Sequence, residues 1–172
     1  MQQKLRRITR RAAITRVASA VVSPLIVPAR VLGREGYIAP SEKILVGAIG
    51  IGGRGRFVLQ WFLQQPDVQV RAVCDVVQQH RDAAKAMVDR RGGTNDCTTY
   101  RDLRDMLARA DLDAVMIALG DRWHALATVW AMRAGKDVYC EKPSSMTVAE
   151  GRAVVEAARA TTLETCADLM RR

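Results

Sequence analysis

The chain has 172 residues and a mass of 19.0 kDa, enough for one domain with a tail. Apolar residues make up 49% and charged residues 26%, which excludes wholesale disorder, and no apolar run reaches the 18 residues of an ordinary membrane-spanning helix. The net charge of +9 points at first to nucleic acid, but residues 1–40 carry +7 of it and residues 41–172 only +2, so the folded body is nearly neutral and a nucleic-acid role is set aside.

Residues 1–40 read as a signal or tail followed by a linker. Arg10 and Arg11 precede a mildly apolar stretch, Val17 to Val22, with small residues at Ala18-Ser19-Ala20. A basic start, a short apolar middle and small residues form the layout of a removable export signal. The arginine pair resembles the twin-arginine type. A periplasmic or secreted destination follows, or a cytoplasmic one if the segment is only a solvated basic tail. Residues 29–42 contain two glycines and a proline without sustained periodicity and serve as the linker.

The body, residues 41–165, alternates strand and helix. Ile44 to Ile49 is a short apolar run, a strand buried on both faces. Arg56 to Gln65 has helical spacing through Phe57, Val58, Trp61 and Phe62 and stops at Pro66-Asp67. Val68 to Cys74 is a second strand, and Gln78 to Arg91 a helix ended by Gly92-Gly93. Thr98 to Tyr100 is a very short strand, Asp102 to Ala110 a short helix, and Leu112 to Ala118 another buried strand. Trp123 to Ala134 is a helix closed by Gly135, and Asp137 to Cys140 a strand. Thr147 to Ala160 is a helix with a Thr cap and Glu150 three residues on. The segment 163–172 lacks the apolar run of a further sheet strand, and 166–172 read as an aberrant or frayed end.

This order calls for an α/β fold with a doubly wound, mostly parallel sheet. Right-handed crossovers put every strand's carboxyl end on one edge, where ligands bind. Gly50, Asp75, Leu119 and Glu141 all fall at that edge. Four cysteines (Cys74, Cys97, Cys140, Cys166) contain no close pair, and there are two histidines, so neither a zinc site nor a disulfide framework is expected. The thiols read as buried or half-buried.

The turn Gly50-Ile51-Gly52-Gly53-Arg54-Gly55 contains G-x-G-x-x-G in full. Gly50 permits a sharp exit from the strand, Gly52 lets a diphosphate approach the backbone, and Gly55 lets the helix pack close to the sheet. The helix N-terminus adds unpaired N–H groups. Arg54 or Arg56 either adds a charge contact or is solvated. Asp75 ends the second strand 20 residues after Gly55, the place of a carboxylate that accepts from both adenosine ribose hydroxyls. It would repel a 2′-phosphate, so NAD is favoured over NADP, although Arg81 lies close enough to weaken the exclusion.

Two later segments share the edge: Gly120-Asp121-Arg122-Trp123-His124 and, 17 residues beyond His124, Glu141-Lys142-Pro143. With the glycine turn and Asp75, these resemble the N-terminal half of the Gfo/Idh/MocA oxidoreductases over residues 43–160 or so. The resemblance implies an NAD(P)-binding Rossmann domain with Lys142 beside the nicotinamide and the substrate carbinol. It places Glu141 at the nicotinamide ribose and His124 along the cofactor cleft. Arg122 replaces the family's first histidine, and Leu119-Gly120 its Thr-Pro. Taken alone, Lys142 is equally an exposed strand-end lysine and His124 a histidine packed early in a helix.

The family carries a second α/β domain that supplies the substrate pocket, and the chain reads as lacking it. The expectation is a fragment or early-terminated product that binds nucleotide and turns over little or nothing. Its parent would move hydride between a nicotinamide and a sugar or cyclitol hydroxyl carbon. A homo-oligomer is open. The alternatives are an NAD-dependent glycoside hydrolase of the same superfamily and a non-catalytic nucleotide-binding module.

Overall fold

The computed structural model describes residues 38–93 and 95–161. The segment expected to be an export signal, most of the expected linker, Cys166 and the segment 163–172 lie outside the described residues. Five strands form one parallel sheet: β1 (Ile44–Ile49), β2 (Val68–Cys74), β3 (Thr98–Tyr100), β4 (Ala114–Ile117) and β5 (Asp137–Cys140). The strand order is β3-β2-β1-β4-β5. The helices are α1 (Gly53–Phe62), α2 (Gln78–Gly92), α3 (Leu103–Leu107), α4 (Asp121–Arg133) and α5 (Val148–Ala160).

The alternation of β1 builds two cores. Val46 and Ala48 pack with Val58 and Leu59 of α1 and Ala84 and Val88 of α2. Ile49 joins the opposite face with Met106, Met132, Val115 and Ala157, under α3, α4 and α5. Gly47 sits on that second face, where a Cβ would come within 2.8 Å of the Met106 Cε. Buried on both sides, the central strands need apolar residues at every position, which is why they read as continuous runs rather than alternations.

Element types follow the sequence expectation, and the differences are at ends. Helix α1 starts at Gly53 rather than Arg56, because the glycine turn is itself the first helical turn: the Arg56 N–H donates to Gly52 O at 2.9 Å. Helix α4 likewise starts at Asp121, with the Trp123 N–H on Gly120 O at 2.8 Å. The capping box of α5 is present as expected. Thr147 Oγ1 accepts from the Glu150 N–H at 3.2 Å, and Glu150 Oε2 accepts from the Thr147 N–H at 3.1 Å. Gly93 ends α2 in the left-handed conformation, φ 65°.

One anchor has no sequence signature. Lys136 is only 5% exposed, and its ammonium donates to Arg109 O at 2.7 Å and Leu112 O at 2.8 Å. It thereby ties the start of β5 to the loop that leads into β4. Among the described residues, no helix is long and apolar enough to cross a membrane.

Candidate functional site

The chain leaves β1 for β2 on one side and reaches β4 on the other, so the topology reverses between β1 and β4. In open α/β sheets such a reversal opens a crevice at the strands' carboxyl ends. Each strand extends its ladder by one bond at that edge. The Gly50 N–H donates to Cys74 O at 2.8 Å, Ala118 N–H to Ile49 O at 2.9 Å, and Glu141 N–H to Ile117 O at 2.9 Å. These bonds fix the height at which Gly50, Leu119 and Glu141 emerge.

Two glycines of the turn are required by geometry. Gly50 has φ 77°, and a Cβ there would lie 2.7 Å from Ala118 O. At Gly55 a Cβ would lie 1.8 Å from Gly50 O. The other two leave room: a Cβ on Gly52 would meet only the His80 ring, at 3.4 Å, and one on Gly53 would meet nothing within 4 Å. The turn is thus closed toward the sheet and open toward the crevice, as a cradle for a diphosphate must be.

Asp75 stands beside this cradle, 9% exposed. Its Oδ2 accepts from the Ile51 N–H at 3.0 Å and its Oδ1 from the Val77 N–H at 2.9 Å. The carboxylate is therefore pinned to the middle of the glycine turn, 24 positions earlier in the chain. Arg81 donates to the carbonyls of Asp75 (2.7 Å) and Val76 (3.2 Å) and so braces the backbone that carries the carboxylate.

The other end of the crevice is built from α1, β5 and α4. The Arg54 guanidinium lies over the Phe57 and Trp61 rings, 5.4 and 5.9 Å from their centroids. From there it reaches across to Glu141 Oε1 at 2.8 Å. Glu141 is 7% exposed and also accepts from the Tyr139 hydroxyl at 3.4 Å. Burial pushes its carboxyl up, but Arg54, the Lys142 N–H and Tyr139 together outweigh that and hold it below the ordinary carboxylate value.

A carboxyl whose folded value is depressed stabilises the fold above its unfolded value of 4.5 and loses that contribution as pH falls. Arg54→Ala is expected to cost roughly 1–2 kcal/mol at pH 7. The cost should persist at pH 5, above that value, and shrink when urea denaturation is repeated at pH 4 and pH 3. A cost independent of pH would mean that the pair adds no electrostatic stability.

His124 was expected along the cleft. It borders the crevice, but it is 1% exposed and both ring nitrogens are occupied: Nε2 lies 3.0 Å from Leu119 O and Nδ1 2.7 Å from Pro143 O. A neutral ring donates to one of these carbonyls and an imidazolium to both. Its polar atoms thus link the loops after β4 and β5 and are not offered to a ligand. Lys142 is exposed at the rim.

Arg54, Leu119, His124, Glu141 and Lys142 surround a cavity of about 390 Å3. A groove of about 1110 Å3 runs over Gly50, Gly52, Gly53, Gly55 and Asp75. Arg54, Ala118 and Leu119 border both, so the two form one continuous crevice. Of the sequence-expected residues, all but Ile51 border this crevice; Ile51 is fully buried and reaches the site only through its backbone N–H on Asp75. The sequence reading missed His80, which lines the groove beside Asp75, and Tyr139. The available signal for His80 was its place in the first turn of α2, next to the strand that Asp75 ends.

At the described cysteines, Cys74, Cys97 and Cys140, burial works against the thiolate. Cys74 and Cys97 are buried free thiols, pushed up to about 12 and about 11, with neighbouring Asp75 and Asp89 adding to the effect of desolvation.

A parallel sheet reversing at β1/β4, a glycine turn opening a helix and a carboxylate at the end of β2 define a dinucleotide-binding Rossmann domain. Residues 44–166 match the oxidoreductase family with an NAD-binding Rossmann fold, Gfo/Idh/MocA, and the chain belongs to that family. A glycosyl hydrolase family 109 protein of Shewanella sp. (strain W3-18-1) is 35% identical over 133 residues, covering 73% of this chain and 28% of that protein. An alpha-N-acetylgalactosaminidase of Shewanella oneidensis is 34% identical over 130 residues, with the same coverage. The chain therefore spans just over a quarter of the length of these relatives. Among solved structures, an NAD-binding protein from Listeria innocua superposes with a TM-score of 0.61 at 27% identity, covering 72% of this chain and 34% of that one. Scyllo-inositol dehydrogenase from Lactobacillus casei, with bound NAD(H) and scyllo-inositol, shares the fold with a TM-score of 0.64 at 24% identity, covering 72% of this chain and 35% of that one.

Proposed function

We propose that this chain holds NAD for an enzyme that moves a hydride between the nicotinamide and a hydroxyl carbon of a sugar or cyclitol. The observation that carries the reading is Asp75, fixed by two backbone N–H groups against the glycine turn. The groove fits the cofactor: Gly52 and Gly53 leave space for a diphosphate, and the Asp75 oxygens keep lone pairs for two ribose hydroxyls. NAD is preferred over NADP because a fixed carboxylate repels a 2′-phosphate and the Arg81 guanidinium is engaged by main-chain carbonyls.

When bound, the nicotinamide accepts or returns the hydride. This chain's residues orient and exclude. Glu141 and Arg54 close the far end of the crevice, and Leu119 floors it. Lys142, exposed at the same rim, holds the substrate oxygen and stabilises negative charge that develops there. The described residues supply one wall of the site, and in the whole protein further residues supply the substrate-facing wall. The basic leader sends the product across a membrane for export.

A second reading is favoured by the relatives named as glycosyl hydrolases: the same NAD-holding domain serves a glycoside-cleaving enzyme. The two readings share oxidation at a sugar carbon and differ in net cofactor change. The whole gene product should either accumulate NADH with a free cyclitol or sugar, or release sugar from an N-acetylgalactosaminide without net NADH.

The shared core of both readings is tested by titration calorimetry of the 172-residue chain. NAD should give saturable heat and NADP a weaker response, and Lys142→Ala should weaken NAD binding less than Asp75→Ala does, because its side chain is exposed at the rim. A folded sample giving no heat with either dinucleotide would overturn the assignment.

A further inference from the structure

Two aromatic rings of α1, Phe57 and Trp61, stay half exposed and pack on each other with centroids 4.7 Å apart. The Arg54 guanidinium covers both, and from there it meets Glu141 across the crevice at 2.8 Å. A long cationic side chain that is 54% exposed ordinarily samples many rotamers. Here the rings on one side and the carboxylate on the other fix the positive charge in one place. Glu141 is its opposite: buried and ionised, and so a poorly screened negative charge. Asp121 and Lys142 line the same cavity, but both are exposed and water screens their charges.

The place of this pair in the crevice decides what it acts on. A dinucleotide lies across the reversal of the sheet, with one nucleoside on each side of the glycine turn. Asp75 marks the adenosine side, just past the end of β2. The other nucleoside then enters the cavity on the β4–β5 side, which Arg54, Leu119, Glu141 and Lys142 surround. That nucleoside carries the ring whose charge changes with oxidation state: the oxidised nicotinamide is a pyridinium with a positive charge, and the dihydronicotinamide is neutral. Glu141 by itself attracts the pyridinium and so favours the oxidised form. Arg54, in contact with Glu141, repels the pyridinium and offsets that preference.

We propose that Arg54, seated on Phe57 and Trp61, is a specificity-determining residue for the oxidation state of the cofactor: by offsetting Glu141 it keeps the oxidised form from being strongly favoured over the reduced one. The inference rests on the reading that Asp75 grips the adenosine ribose, which puts the nicotinamide at the opposite end. Its experiment is calorimetric titration of the full 172-residue chain with NAD, NADH and ADP-ribose at pH 8. Arg54→Gln keeps a donor for Glu141 and removes the charge. The ratio of the NADH to the NAD dissociation constant should then rise roughly threefold to tenfold, the size of one charge acting over several ångströms in a partly solvated site. Glu141→Gln should lower the ratio by a similar factor, and Arg54→Lys, which restores the charge, should bring it back toward the parent value. A contact of Arg54 with the diphosphate is common to all three ligands, so it shows with ADP-ribose and cancels in the ratio. Trp61→Leu, on the exposed face of α1, should move the ratio in the same direction as Arg54→Gln by a smaller factor, and serves if that variant does not fold. An unchanged ratio in Arg54→Gln, or no return in Arg54→Lys, with NAD still bound, overturns the role of the Arg54 charge and leaves the Asp75 clamp intact. Absence of binding of all three ligands by the folded parent overturns the clamp itself and the role of Arg54 with it.

Discussion

Gly55→Ala is expected to lower the stability of the fold by ~3 kcal/mol or more and to remove dinucleotide binding. The added methyl would sit 1.8 Å from Gly50 O, well inside any real contact. Relief by a small shift is blocked on both sides of that carbonyl. The Gly50 N–H is bonded to Cys74 O at 2.8 Å, and the next residue, Ile51, is bonded to Asp75 at 3.0 Å. Helix α1 must therefore lift from the sheet, which uncovers Val58 and Leu59. Gly53→Ala is the matched control for stability, because it makes the same chemical change at a position with nothing within 4 Å. Its stability should equal or slightly exceed that of the parent, by up to ~1 kcal/mol. Urea midpoints of the two variants measured together decide the matter, and equal midpoints would refute the close approach of helix and strand.

Asp75→Ala should reduce NAD affinity at least 100-fold, the loss expected when a charged group making two ligand hydrogen bonds is removed. It should also destabilise the protein without ligand, because Ile51 and Val77 lose the acceptors of their N–H groups at a cost of about 1–3 kcal/mol for each one left buried and unmet. Asp75→Asn separates the two effects. Its amide oxygen can keep one backbone bond, so stability falls less, while loss of the charge narrows the preference for NAD over NADP. Calorimetry with both dinucleotides, paired with thermal unfolding, gives the two readouts. Wild-type NAD affinity in Asp75→Ala would show that the ribose is held elsewhere.

Local patterns carried most of the architecture. The apolar runs of β1 and β4, the glycine stops of α2 and α4, and the Thr147–Glu150 box each depend on neighbours a few positions apart, so they are visible in the chain. The turn and Asp75 were readable for the same reason, since a βαβ unit fixes their separation. Contacts made across the sheet were not. The Arg54–Glu141 pair spans 87 positions, and nothing in either segment announces it. Nothing around Lys136 in the chain marks it as an anchor, since the two carbonyls that hold it lie 24 and 27 positions earlier. His124 could be placed beside the cleft, but its burial and its two carbonyl partners depend on how close the loops after β4 and β5 come. His80 is marked only by its place in the first turn of α2, five positions after Asp75.

The placing of the buried His124 ring between the carbonyls of Leu119 and Pro143 has a mechanical consequence. Strand β5 is only four residues long and pairs, among the described residues, with β4 alone, so the sheet gives little purchase on the chain just past it. The buried imidazole acts as the tether there, one residue beyond Lys142. The lysine's position is therefore governed from underneath the rim. The nucleoside end of the crevice is governed by the separate fastening of Asp75 to Ile51. Slackening at one end need not travel to the other, so grip on the nucleotide and placement of the reactive amine can be adjusted independently.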